Sequence, residues 1–269
     1  MRKSVAALSV VVGMALMSAP AGAIVYGAFD GNRHPNVGGI VADWRDYGSG
    51  NIELFCTGTL IAPDVFLTAA HCTAGLAVRD VPPHEVWVTF DPVYDEDATL
   101  HRGIYDLNPD FAQGGSNDTH DVAVIILDQP VSGIAPAELP PARMLSRMKA
   151  SGELRHTRFT AVGYGTVRET NRGGFDAILD NIERRFATQQ FWSLTKAWMT
   201  LAMNVSTGDG GTCYGDSGGP HFLGAGANET EIVASLTVTG DAVCKATDKT
   251  YRLDTASARD YLEEFVDLP

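Results

Sequence analysis

Apolar residues in this chain come in short β-branched runs cut apart by glycine and proline, and this limits its fold more than any other feature. The runs are Gly39-Ile40-Val41, Gly58-Thr59-Leu60-Ile61, Val86-Trp87-Val88-Thr89-Phe90, Val122-Ala123-Val124-Ile125-Ile126-Leu127, Phe159-Thr160-Ala161-Val162-Gly163 and Glu231-Ile232-Val233-Ala234-Ser235-Leu236. Each has the length of a strand, and 28 Gly and 13 Pro supply turn signals between them. The pattern predicts mostly antiparallel β structure, without the strand and helix alternation of a parallel sheet. One helix is expected, at the end of the chain. Beyond the capping residue Thr255, Ala258, Tyr261, Leu262 and Phe265 recur at helical spacing and give one face that can dock on a core.

The first residues carry Arg2 and Lys3, then an apolar run from Val5 to Met17, then Ala21-Gly22-Ala23. That order is the signature of a secretory signal peptide over residues 1–23, with the mature chain starting at Ile24. The run falls short of the ~20 apolar residues needed to span a bilayer, so an exported, extracellular protein is expected. The formal charge of −13 becomes about −15 without Arg2 and Lys3. Such a surface repels nucleic acid and anionic lipid, and neither is expected as a partner of the mature chain. A Pro-rich seam from Ile134 to Pro141 is the natural connection between two halves, 24–140 and 141–269. Residues 171–200 mix charges and aromatics without a clear period, and no role is assigned to them.

Four cysteines in an exported chain, Cys56, Cys72, Cys213 and Cys244, imply two disulfides. Three pairings exist by count, and sequence neighbourhood favours Cys56–Cys72 and Cys213–Cys244. A metal site is disfavoured, because there is no Cys-x-x-Cys pair and no histidine at ligand spacing apart from His71. The acidic cluster Asp91, Asp95, Glu96 and Asp97 has the oxygen chemistry of a calcium site but reads better as a solvated loop. No cofactor is expected.

Three motifs carry chemistry. Leu67-Thr68-Ala69-Ala70-His71-Cys72 presents a histidine, the side chain best suited to take and return a proton near neutral pH. Asn117-Asp118-Thr119-His120-Asp121-Val122 places Asp121 directly before a strand-like run, where a carboxylate can hold a histidine tautomer and stabilise its imidazolium. Asp118 is a nearby decoy without the adjoining strand. Cys213-Tyr214-Gly215-Asp216-Ser217-Gly218-Gly219-Pro220 surrounds a serine with glycines, which lets backbone N–H groups approach a substrate oxygen.

With these motifs in this order, the chain resembles the trypsin/chymotrypsin family of serine endopeptidases. The likeness runs from Ile24-Val25-Tyr26-Gly27 through Phe55-Cys56-Thr57-Gly58-Thr59-Leu60-Ile61 and the three motifs to Gly163-Tyr164-Gly165 and the terminal helix. It implies an all-β fold of two six-stranded antiparallel Greek-key barrels with a C-terminal α-helix, the first holding His71 and Asp121 and the second holding Ser217. It assigns His71 as general base and acid, Asp121 as its orienting carboxylate, Ser217 as nucleophile, and the N–H groups of Gly215 and Ser217 as the oxyanion hole. It pairs a free Ile24 terminus with Asp216, without a separate propeptide. It further places Gly211, Ser235, Thr237 and Lys249 around the specificity pocket, with one disulfide beside the histidine and one spanning that pocket. Gly211 stands where trypsins carry an aspartate, and Thr237 where wide-mouthed members carry glycine, so small or medium apolar residues are the expected substrates. Polypeptides and protein inhibitors are the expected partners. Tyr164 and Leu236 replace tryptophans common in the family.

Two rival readings are set aside. Gly215-Asp216-Ser217-Gly218-Gly219 also fits the nucleophile elbow of a secreted α/β-hydrolase esterase, but that fold places its histidine well after the serine, and here only His221 follows. A catalytically inactive binding protein on the protease fold usually lacks a triad member, and none is replaced here.

Overall fold

The computed structural model describes residues 24–168, 170 and 172–269. The signal peptide expected over residues 1–23 lies outside the described residues. After a two-residue strand, β1 (Ala28–Phe29), come β2 (Val37–Ala42), β3 (Glu53–Ala62), β4 (Val65–Thr68), β5 (Val86–Thr89), β6 (His101–Tyr105) and β7 (Ala123–Leu127). These last six close an antiparallel barrel in the order β2-β3-β4-β7-β6-β5. Helix α1 (Ala70–Val78) follows β4, and α2 (Met144–Ser151) opens the second half.

The second half contributes β8 (Arg158–Gly163), β9 (Val167–Arg168), β10 (Ile178–Leu179), β11 (Arg185–Leu194), β12 (Trp198–Ala202), β13 (Pro220–Leu223), β14 (Val233–Gly240) and β15 (Thr247–Arg252). Six of these form a second antiparallel barrel, β8-β11-β12-β15-β14-β13, closed by β13 on β8, while β9 and β10 make a separate hairpin. The closing helix α3 (Ala256–Leu262) begins where its cap was expected: the Thr255 hydroxyl accepts the Ala258 N–H at 3.2 Å.

Each barrel has its own core, the first around Ile40, Leu60, Phe66, Val86, Val88 and Ile125, the second around Leu154, Phe159, Met199, Leu201 and Ala234. A third apolar cluster joins them, with Val37, Leu67, Val122 and Val124 packed against Phe222, Leu236, Tyr251 and Ala258. Burying one such aliphatic or aromatic side chain is worth roughly 1.5–3 kcal/mol, so the two barrels are held as one body. The Pro-rich seam runs along this junction. Ala137 N–H donates to Leu60 O at 2.8 Å in β3, and Val233 N–H of β14 donates to Glu138 O at 2.9 Å.

The first described residues pack on the second barrel rather than the first. β1 pairs with β11, and Val25 bridges to Gly211. Arg184, wholly buried, fixes this crossing. Its guanidinium donates from Nε to Asp30 Oδ2 (2.9 Å), from Nη1 to Val37 O (3.0 Å) and Phe90 O (2.7 Å), and from Nη2 to Asn32 Oδ1 (3.0 Å). Asp30 also binds the His34 ring, whose Nε2 contacts Glu229 Oε1 at 2.7 Å. Burial lowers the His34 pKa, but the Asp30 and Glu229 bonds outweigh it and hold the imidazole above its usual range. That contribution is complete below the unfolded pKa of about 6.5 and is lost as pH rises through the folded value.

Removing one partner of a buried ion pair leaves the other charge uncompensated, so Arg184→Met should lower the free energy of unfolding by about 3–5 kcal/mol. Denaturant unfolding monitored by fluorescence measures this, and a loss below about 1 kcal/mol would contradict the clamp.

Candidate active site

His71 lies in the first turn of α1, directly after β4, at the edge of the first barrel. This helix has no side-chain cap of its own. Asp121 supplies one from just before the neighbouring strand β7, accepting the His71 backbone N–H at Oδ1 (2.9 Å) while Oδ2 faces His71 Nδ1 at 2.9 Å. A carboxylate at a helix N-terminus is favoured by the free N–H groups and the helix dipole, so one residue orients both backbone and ring. Asp121 is buried, and the His71 side chain is one third exposed, 33%. The turn presenting Asp121 has His120 at a left-handed φ of 51°, and Asn108, unremarked in the sequence, braces it through Nδ2 bonds to His120 O (3.1 Å) and Val122 O (2.8 Å). Asp118 turns away from His71, accepting the hydroxyls of Tyr251 (2.8 Å) and Ser257 (2.8 Å). It serves to dock α3.

Ser217 sits in the turn before β13, pressed against the first barrel. Its carbonyl accepts the Thr57 N–H of β3 at 2.9 Å and lies 3.7 Å from Cys72 Sγ, one residue from His71. Thr57 also donates its hydroxyl to Gly215 O at 3.0 Å. Gly215 and Gly218 take left-handed φ values of 94° and 81°. At Gly218 a Cβ would stand 2.1 Å from Thr68 Oγ1 and 2.5 Å from Thr57 O, so the serine turn can nest against β3 and β4 only as glycine. Among the described residues, the N–H groups of Gly215 and Ser217 donate to no protein acceptor.

Beneath the serine, Asp216 is wholly buried. Its oxygens accept Gly165 N–H (2.8 Å) and Cys213 N–H (2.8 Å). Burial, with Asp248 nearby, pushes its pKa up to about 7 against these two bonds. Among the described residues no cationic side chain lies within ion-pair distance of it. Ile24 is also wholly buried, and the next residue, Val25, accepts the Gly211 N–H at 3.0 Å on the loop that leads to Asp216.

A cavity of about 230 Å³ opens beside Ser217, and of the four pocket residues expected only Thr237 lines it. Gly211 faces inward, where a Cβ would meet Met203 Cγ at 2.4 Å and Gln189 Nε2 at 2.7 Å. Ser235 is buried and accepts the Thr250 hydroxyl at 2.9 Å, and Lys249 Nζ lies 4.2 Å from the Trp198 ring centroid. The lining comes instead from Thr212, Thr239, Asp241 and the Cys213–Cys244 disulfide. The disulfide was expected there; Thr212, Thr239 and Asp241 carried no sequence signal. Asp241 accepts the N–H groups of Lys245, Ala246 and Thr247; burial opposes but does not overcome these bonds, which hold its pKa below the usual range. The Thr237 hydroxyl is buried with no partner among the described residues.

The second disulfide, Cys56–Cys72, flanks His71. Among the described residues, Cys56, His71 and Cys72 are the one gathering of three metal-ligand-type side chains. Their sulfurs are already joined and cannot ligate as thiolates. In the acidic loop Asp91 and Asp95 instead accept the N–H groups of Thr99 and Asp97.

A family model described as Trypsin matches residues 42–258. Snake venom serine protease 2B of Craspedocephalus gramineus is 29% identical over 179 residues, covering 63% of this chain and 63% of that protein. A trypsin of Saccharopolyspora erythraea is 30% identical over 178 residues, 62% of this chain and 70% of that protein. Platelet-aggregating proteinase PA-BJ of Bothrops jararaca is 29% identical over 178 residues, 62% and 68%. The match thus spans less than two thirds of the first of these relatives. With two closed antiparallel barrels, Asp121 bonded to His71, and a family match over most of its length, the chain belongs to the trypsin/chymotrypsin family of serine proteases.

Proposed function

We propose that this protein is a secreted serine endopeptidase that hydrolyses peptide bonds through an acyl-enzyme. The observation that carries this reading is the pair of bonds from Asp121 to one histidine, backbone and ring, at the mouth of the cleft that holds Ser217. With Nδ1–H held by the carboxylate, Nε2 is the free lone pair. It takes the Ser217 hydroxyl proton as Oγ attacks the scissile carbonyl, and Asp121 stabilises the imidazolium formed. The N–H groups of Gly215 and Ser217, without protein acceptors, are disposed to receive the developing oxyanion. His71 then gives its proton to the leaving amine, the C–N bond breaks, and water enters by the same steps in reverse to release the acid and restore Ser217. No cofactor takes part. No helix among the described residues is long and apolar enough to cross a membrane. The cavity beside Ser217, narrowed by Thr237, suits small or medium side chains on the acyl side. Protein inhibitors presenting an extended loop would use the same cleft.

Activation follows from Asp216. A buried carboxylate held by two neutral donors is costly, and the ammonium of a chain starting at Ile24 would neutralise it. Signal-peptide cleavage after Ala23 would expose that terminus, so the enzyme needs no separate propeptide and becomes active on export.

Ser217→Ala, His71→Ala and the double variant should each lose most of their kcat, the double little worse than either single, because the residues act as a unit. Additive losses would count against the mechanism. Asp121→Asn should remain folded and slow turnover by up to about 10⁴-fold, through the wrong histidine tautomer. Near-normal kcat in that variant would overturn the role given to Asp121.

Protein starting at Ile24 should be active, and protein with one extra Ala before it should not. Equal kcat/KM would refute the activation scheme. In the extended form Asp216 keeps its raised pKa, so stability is highest below about pH 4 and is lost as pH rises toward about 7. In the Ile24 form the paired amine titrates above its free range of about 7.7–8.0, and activity should fall as pH climbs through that higher value.

A further inference from the structure

Two concavities meet at the serine turn. One is the cavity beside Ser217; the other, of about 380 Å³, begins at Gly215 and Cys56 and runs away from it, with Tyr214 bordering both. On the mechanism proposed above, the acyl-side side chain fills the first. The peptide beyond the scissile bond must then leave across Gly215 and Cys56, which directs it into the second groove. We propose that this groove selects the substrate on its leaving-group side, taking a bulky apolar or aromatic side chain within the first three residues after the scissile bond and rejecting an acidic one.

The chemistry of the walls sets this preference. Ile182 and Tyr214 stand 50% and 53% exposed, and Phe55 and Tyr94 line the groove with them, so aromatic and aliphatic surface is left open to an incoming side chain. Contiguous exposed apolar surface of this kind marks an interaction site. The walls are also held in place. Asn181 ties the Ile182 segment down by donating from Nδ2 to Gly165 O (3.2 Å) and Glu183 O (2.6 Å), Tyr94 N–H donates to Ile182 O at 2.8 Å, and the Tyr214 hydroxyl donates to Ala242 O at 2.9 Å. A preformed wall binds without the cost of ordering it. The groove's cation is already engaged: Arg45 pairs with Glu53 and lies 4.7 Å from the Trp44 ring centroid. Asp180, exposed, has no cationic partner within ion-pair distance among the described residues, so the groove carries an uncompensated negative charge.

Residues 171–200, to which no role was assigned from sequence, thereby gain one, since Asp180 and Ile182 supply a wall of this groove. An open apolar groove should favour Phe, Tyr or Leu over Gly by about tenfold in kcat/KM.

The test uses the chain starting at Ile24 and internally quenched peptides with one fixed acyl-side sequence, varied singly at the three leaving-side positions. At one of these positions the Phe-to-Gly ratio of kcat/KM should reach about tenfold, with Asp and Glu below Gly. Ile182→Asp and Tyr214→Ser should each bring that ratio toward one. Because the ratio compares two substrates on the same protein, the fraction of variant that folds does not enter it. Ratios near one at all three positions, with the same acyl sequence still cleaved from a p-nitroanilide, would overturn the groove and leave the endopeptidase reading standing. Failure to cleave either peptide or anilide would overturn both.

Discussion

The buried Asp216 carboxylate is the constraint around which the catalytic half is organised. A charge removed from water must be repaid by donors, and its neighbours are arranged to do so: the N–H groups of Gly165 and Cys213 point at it, and the turn that carries Ser217 starts from it. Two neutral donors repay only part of the cost, so the carboxyl pKa stays raised. Ser217 is thus attached to a group whose energy depends on what else reaches it. Residues 24–29 lie close by, crossing to the second barrel under the Arg184 clamp.

The same economy appears at the histidine. Asp121 acts as a structural cap for α1 and as the partner of the His71 ring, so the geometry needed for proton transfer is also geometry that stabilises the fold. Thr57 plays a comparable part from β3, binding both Ser217 O and Gly215 O. Strands of the first barrel thus support a serine that belongs to the second.

Much of this was legible in the sequence, and the failures have physical causes. The β-branched runs at 39–41, 86–90, 122–127 and 159–163 became barrel strands because their apolar residues face closed interiors. Strands β11 and β12 were hidden because Gln189 and Thr188 break the apolar alternation, and Gln189 is buried as a hydrogen-bond partner of Asp248. Helix α1 showed no start signal, since its cap comes from a residue fifty positions later. The pairing of Asp121 with His71 could be read because its chemistry demands particular residue types. The pocket lining could not, because it depends on which face of β14 and of the 241–247 loop turns toward the serine. Gly211, Ser235 and Lys249 engage instead in a strand bridge, a buried hydroxyl pair and a cation–π contact.

The central claim is that Ser217 is a nucleophile activated by His71. It is tested most directly by treating the protein starting at Ile24 with an active-site serine phosphonate and locating the adduct by peptide mass spectrometry. The account predicts one adduct, on Ser217, formed much more slowly in the folded His71→Ala variant and absent from Ser217→Ala. Modification at another residue, or no modification of a folded protein, would contradict it.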